Sequence, residues 1–180
     1  GLTCGILILL FIKYEFSYDR YHKEARHVYR AVREHQGELT WTNSSENPLA
    51  ASLKQDFPEV IKATRVKKND EVGVVEYGSK RFYEEGLYFV DQDFLDMFTY
   101  EVIEGDLSSA LKETTGMVLT RSVSEAMFGN EPALGKMIKV DNDHIYSVTA
   151  VIENIPSNSS VPFKLLICLE PYLEDNPWAN

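Results

Sequence analysis

The chain opens on twelve uncharged, mostly apolar residues, GLTCGILILLFI, before Lys13 supplies the first charge. No later stretch matches that run. A helix that spans a bilayer needs about 20 apolar residues, so 1–12 is too short to cross by itself. No Met and no basic region stand ahead of it, and no small-residue cleavage site follows, so it is not an intact signal peptide. The expectation is the outer half of a transmembrane helix whose inner half lies upstream of Gly1. A buried helix or strand of a soluble protein is the competing expectation, because short apolar runs fit both. Tyr14, Tyr18, Tyr21, Ala25 and Val28 then fall at helical spacing, which predicts that the helix continues past the run. Tyrosines at that place suit a membrane–water interface, and they suit ordinary core packing equally well.

Beyond the helix the pattern turns mixed. Residues 28–33 alternate and are β-branched, which predicts a first strand. A polar loop follows at 41–47. Asn47-Pro48 reads as a helix start, with Leu49, Leu53 and Phe57 on one face and Pro58 as the stop. Strands are expected at 64–68, 72–77 and 81–84, the last two joined through Gly78-Ser79, and at 87–90. Asp93 is expected to cap a helix over 94–98. Further on, 118–120 reads as a strand and Ser122 with Glu125 as a capping box, the helix closing at Gly129. Strands at 138–140 and 145–152 are joined by Asp141-Asn142-Asp143. A loop at 156–160 precedes a last strand over 163–169 with alternating faces, and the tail from Glu174 ends without another element. The expected architecture is α+β in two lobes that meet around 105–115.

Composition narrows the function. In 180 residues, 44% apolar and 12% aromatic content is enough to bury a core, which excludes disorder throughout. Residues 1–35 carry six Lys/Arg against four Asp/Glu, and 36–180 carry twelve against twenty-four. The net charge of −10 argues against duplex nucleic acid as a partner. The acidic part also sits poorly against an anionic cytoplasmic leaflet, which favours the outer side of a membrane. Two cysteines exclude a disulfide scaffold and a multi-cysteine zinc module.

The chemical motifs are weak. Between Gly129 and Gly135-Lys136 stand five residues where a phosphate loop needs four, Met137 replaces the hydroxyl, and Pro132 removes an amide. That segment also runs from helix to strand, the reverse of the required order, so a helix end and a structured turn are expected. Asp91, Asp93 and Asp96 lack the rest of a calcium loop. His22 and His27 are five apart, off the spacing that pairs two imidazoles, and are expected at a surface or interface. Cys4 and Cys168 sit among apolar neighbours, unlike activated thiolates, and the serines lack a nucleophile elbow. Asn43-Ser-Ser and Asn158-Ser-Ser match a glycosylation pattern short enough to arise by chance. No catalytic, cofactor-binding or metal-binding residue is nominated.

The motifs taken in order do resemble a family. Ser17-Tyr18-Asp19-Arg20-Tyr21-His22 stands just after the apolar run. Val28-Tyr29-Arg30, Phe57-Pro58-Glu59-Val60 and Val90-Asp91-Gln92-Asp93-Phe94-Leu95-Asp96-Met97-Phe98 follow. Then come Glu104-Gly105-Asp106, Val118-Leu119-Thr120, Met127-Phe128-Gly129, Gly135-Lys136 and Asn154-Ile155-Pro156-Ser157-Asn158-Ser159. The set resembles the MacB-like periplasmic core domain of FtsX-type ABC transporter permeases, particularly the kind found in Bacteroidetes, over 1 to about 175. Leu134, Met127, Ala150 and Ser160 depart from the family's usual Ile, Leu, Gly and His, at packing or turn positions.

The resemblance implies a division into three parts. Residues 1–24 would be the outer end of the first transmembrane helix with its extension, and 25–106 the first half of a porter-like β-α-β lobe. Residues 107–180 would be an inserted Sabre-like α+β lobe, with the second porter unit beyond Asn180. It implies an inner-membrane permease with this region in the periplasm, an ATP-binding subunit as partner, and a homodimer. A periplasmic adaptor is a further possible partner. No enzyme activity and no cofactor are implied here, since ATP hydrolysis would sit on a separate subunit or domain. The stretch 13–22 would act as a semi-rigid lever for substrate efflux or extraction. An extracytoplasmic ligand-binding domain of a membrane-anchored sensor is the alternative.

Overall fold

The structure is a computed structural model that describes residues 2–35, 38–40, 48–141 and 144–176. The expected loop at 41–47 with its Asn43 pattern, the Asn142 and Asp143 positions of the expected turn, and 177–180 of the expected tail lie outside the described residues.

Helix α1, Leu2–Glu15, is exposed along its whole length. Among the described residues no helix is long and apolar enough to cross a membrane. The tyrosine stripe does not continue it, because the chain leaves the helix at Glu15 and passes through turns before a short 3-10 turn at Ala25–His27. Residues 28–32, expected as a strand, have no regular structure, and strand β1 forms only at Arg33–His35. It pairs antiparallel with β2, Glu38–Thr40, as a separate two-stranded ribbon. Helix α2, Leu49–Asp56, follows Pro48 and buries none of its residues.

From here the chain builds one nine-stranded mixed sheet. Its strands are β3 (Val66–Lys68), β4 (Gly73–Tyr77), β5 (Lys80–Glu84), β6 (Leu87–Val90), β7 (Val102–Gly105), β8 (Gly116–Thr120), β9 (Met137–Val140), β10 (His144–Ile152) and β11 (Leu165–Cys168). The order is β3-β6-β11-β8-β10-β9-β4-β5, with β7 paired beside β10. Strands from both sides of residue 106 interleave in it. Strand β11 lies parallel to β6 and antiparallel to β8, so the chain's last strand sits between elements laid down much earlier.

Those central strands read as unbroken apolar runs because both sheet faces are covered. Leu87, Phe89, Met117, Leu119, Leu165 and Ile167 point to one core, under helices α4 (Arg121–Phe128) and α5 (Leu169–Asp175). Tyr88, Val90, Val118 and Leu166 point to the other, with Phe94 and Leu95 of α3 (Gln92–Met97) and the buried Ala110 and Leu111. The last strand does alternate, but between two buried faces: Leu165 and Ile167 enter one core and Leu166 the other. It covers only Leu165–Cys168, and α5 takes over at Leu169, the expected end of the strand, and runs past the expected start of the tail at Glu174.

Two caps also differ. Helix α3 begins at Gln92 with Asp91 before it, two residues earlier than the expected Asp93 cap. The Asp91 carboxylate is turned elsewhere, accepting from the Arg65 backbone N–H at 2.7 Å and from the guanidinium at 2.6 and 3.0 Å. Helix α4 begins at Arg121, and neither Thr120 before it nor Ser122 makes a side-chain cap. The Ser122 N–H donates instead to Asn154 Oδ1 at 3.0 Å, so the capping box does not form.

Candidate functional site at the foot of the first helix

Residues 16–22 are where α1 meets the domain, and hydrogen bonds fix them there. The Phe16 N–H still donates to Ile12 O, at 2.9 Å, and the Ser17 N–H to Tyr14 O, which tightens the last turn. Asp19 then takes a left-handed conformation, φ +56°, a place that short polar side chains tolerate. This reversal aims 17–22 back at the loop 156–161.

The contacts form two sets. In the first, Asp19 N–H donates to Asn158 O at 3.0 Å, and the Asn158 amide donates to both Ser17 O and Ser17 Oγ at 3.0 Å. The Asp19 carboxylate accepts from the Ser160 N–H at 2.9 Å and from its hydroxyl at 2.5 Å. Tyr21 Oη donates to Ser159 Oγ at 3.0 Å. In the second set, the Thr99 N–H donates to His22 Nδ1 at 3.0 Å, and the Lys23 N–H donates back to Thr99 Oγ1 at 3.1 Å. The partners stand 76 to 141 residues apart in sequence, so the bonds pin the helix foot to the folded domain.

Aromatic packing closes the joint. The His22 ring is 6% exposed and lies 4.0 Å from Tyr21, 4.8 Å from Phe98 and 5.7 Å from Tyr100, centroid to centroid. Tyr100 continues to Phe163 at 5.5 Å, which belongs to the core under α3. Burial pushes the His22 imidazole below its ordinary value, while the Asp19 charge and a backbone hydrogen bond with Thr99 pull the other way. Burial also raises the Tyr21 and Tyr100 hydroxyls. His22 is thus a buried member of the joint, where a surface or interface position was expected. His27, by contrast, is exposed beside Glu24.

The other motif groups serve structure. Asp91, Asp93 and Asp96 each meet a cation: Arg65 at 2.6 Å, Lys54 at 2.9 Å and Lys62 at 2.7 Å. Arg65 also reaches Glu170 at 2.6 Å, so one guanidinium ties the starts of α3 and α5. Lys136 pairs with Glu131 at 2.6 Å and sits 4.4 Å from the Phe128 ring centre. The Ala133 and Leu134 N–H groups in that turn donate to Glu104. The Gly135 and Lys136 N–H groups donate to the carbonyls of Val148 and Ala133, so these amides of the turn are already committed within the fold. Cys4 is exposed and Cys168 buried, both unpaired, and burial raises the Cys168 thiol. Asn158 of the second glycosylation pattern is half-buried, its amide spent on Ser17.

A mixed sheet covered on both faces, with an exposed apolar helix pinned to the 156–161 loop, defines an α+β domain. The same architecture occurs in three solved structures. The periplasmic region of MacB from Actinobacillus actinomycetemcomitans superposes with a TM-score of 0.59 at 18% identity, covering 81% of this chain and 66% of that one. A domain of a protein assigned as a permease from Porphyromonas gingivalis gives 0.60 at 21%, covering 71% and 54%. The extracellular domain of the noncanonic ABC-type transporter YknZ from Gram-positive bacteria gives 0.56 at 15%, covering 82% and 74%. At these identities the likeness is one of fold. The chain spans about half to two thirds of the first two. No curated protein matches the sequence. The model of the MacB-like periplasmic core domain matches residues 1–170, and the chain belongs to that family.

Proposed function

We propose that this domain is the moving extracytoplasmic part of an ABC transporter permease, and that the joint at 17–22 carries motion between α1 and the sheet. The bonds from 17–23 to Thr99 and to 158–160 carry this reading, because they make the foot of an exposed apolar helix continuous with the core. A lever needs that continuity: a helix joined through a flexible linker would transmit neither rotation nor pull. The rigid element is not a helix through 13–22 but a short helix clamped by turns.

In this account α1 enters from the inner membrane and the sheet faces the periplasm. ATP is hydrolysed on a separate ATP-binding subunit, and the domain has no reactive centre of its own. A homodimer would give each ATP-driven movement a symmetric pair of domains, and a periplasmic adaptor would be a further partner. The test is transport by the full-length permease carrying Asp19→Ala with Asn158→Ala. Transport should fall at least tenfold while ATP hydrolysis persists. Transport at the native rate would remove the joint from the mechanism.

A further inference from the structure

We infer that His22 makes the joint a proton-operated latch, in which protonation at Nδ1 releases segment 98–100 from the foot of α1. The inference rests on the functional reading above for its biological meaning but not for its chemistry. Nδ1 accepts the Thr99 N–H at 3.0 Å, and an imidazole nitrogen can accept only while it carries no proton. Protonation would set an N–H against the Thr99 N–H, two donors facing each other at hydrogen-bond distance. The ring is nearly enclosed by Tyr21, Phe98 and Tyr100, so the new charge would also lie among apolar faces. Both effects act in one direction, against the closed joint.

The surrounding groups set where the latch works. From its own segment, Asp19 bears on the ring with a charge that favours protonation, and Tyr21 lies against it. From the 98–100 segment come the Thr99 N–H, Phe98 and Tyr100, whose hydroxyl stays neutral because burial raises it. Tyr21 in turn bonds Ser159 of the 156–161 loop. Burial outweighs both Asp19 and a backbone hydrogen bond with Thr99, which favour the charged ring, so the closed joint holds His22 neutral and an opened one lets it regain its ordinary value near 6.5. Above that pH the latch is shut. Each pH unit below it shifts the balance toward the open form by up to about tenfold, until the closed joint itself protonates. The bonds from Asn158 and Ser160 to 17–19 do not involve the imidazole, so the helix foot stays held on one side. The latch therefore loosens the joint without detaching it.

The Thr99 amide reports the latch directly, since its hydrogen bond runs to His22 Nδ1. Amide hydrogen exchange of the full-length permease, corrected for the intrinsic effect of pH, should show Thr99 protection constant from pH 8 to 6.5. Protection should then fall severalfold toward pH 5.5, with about tenfold as the upper limit, while Ser160 and the β8 amides hold theirs. His22→Asn offers a carbonyl oxygen in place of Nδ1 that does not titrate, and its Thr99 protection should not change with pH. Native Thr99 protection that stays level down to pH 5 would overturn the inference, whatever the variant does. So would an equal fall in His22→Asn, which would move the acid response to Asp19. Neither readout uses transport, so a failed latch and a failed lever are told apart.

Discussion

Gly105 shows how little room single positions leave. Its φ of +85° is already costly for a side chain, and a Cβ there would stand 2.2 Å from Thr149 O and 2.9 Å from Ala150 Cα. The position lies in β7 against the β10 bulge, where Ala150 stands in place of the family's usual Gly. Gly105→Ala should destabilise the domain by roughly 2–4 kcal/mol, read as a lower urea midpoint. His22 gives a pH dependence at the same scale. Its folded value is depressed, so the stability it contributes is complete above about 6.5 and is lost as pH falls below that. Urea unfolding of the native chain should therefore weaken between pH 6.5 and 5 relative to His22→Asn. Equal pH slopes for the two would contradict the assignment of a buried neutral imidazole.

At the level of elements, the expected capping box offers a sharp contrast with what forms. Ser122 gives its N–H to Asn154, and Glu125 lies 3.8 Å from Arg121 at the surface. Glu125→Ala should change stability by no more than about 0.5 kcal/mol, whereas a working capping box would lose about 1. Thermal unfolding decides between them. Most strands were legible because local signals sufficed: Gly78-Ser79 sets the β4–β5 hairpin, and β6 is apolar throughout. The run 28–32 was not, since alternation without a neighbouring strand leaves nothing to pair with. Helix α5 was hidden because Cys168-Leu169 continues the apolar pattern of β11 straight into the helix. The joint lay in two of the family's motifs, Ser17 to His22 and Asn154 to Ser159, but one sequence does not say that they touch. Thr99, outside any motif, had no signal at all.

For the whole molecule, the apolar opening run and the acidic remainder become two parts with different surroundings. Helix α1 exposes an apolar surface that the folded sheet does not cover, while residues 66–168 form one sheet closed on both faces. What connects them is a small polar joint, and the proposed function depends on its stiffness more than on any side chain's chemistry. Softening it should leave the sheet folded, because neither core draws on 13–18. The most direct measurement is transport and ATP hydrolysis by the full-length permease with a flexible Gly-Gly-Ser-Gly insertion between Phe16 and Ser17. The account predicts continued ATP hydrolysis, native exchange protection in β8 and β11, and loss of transport. Transport at the native rate in that variant would contradict it.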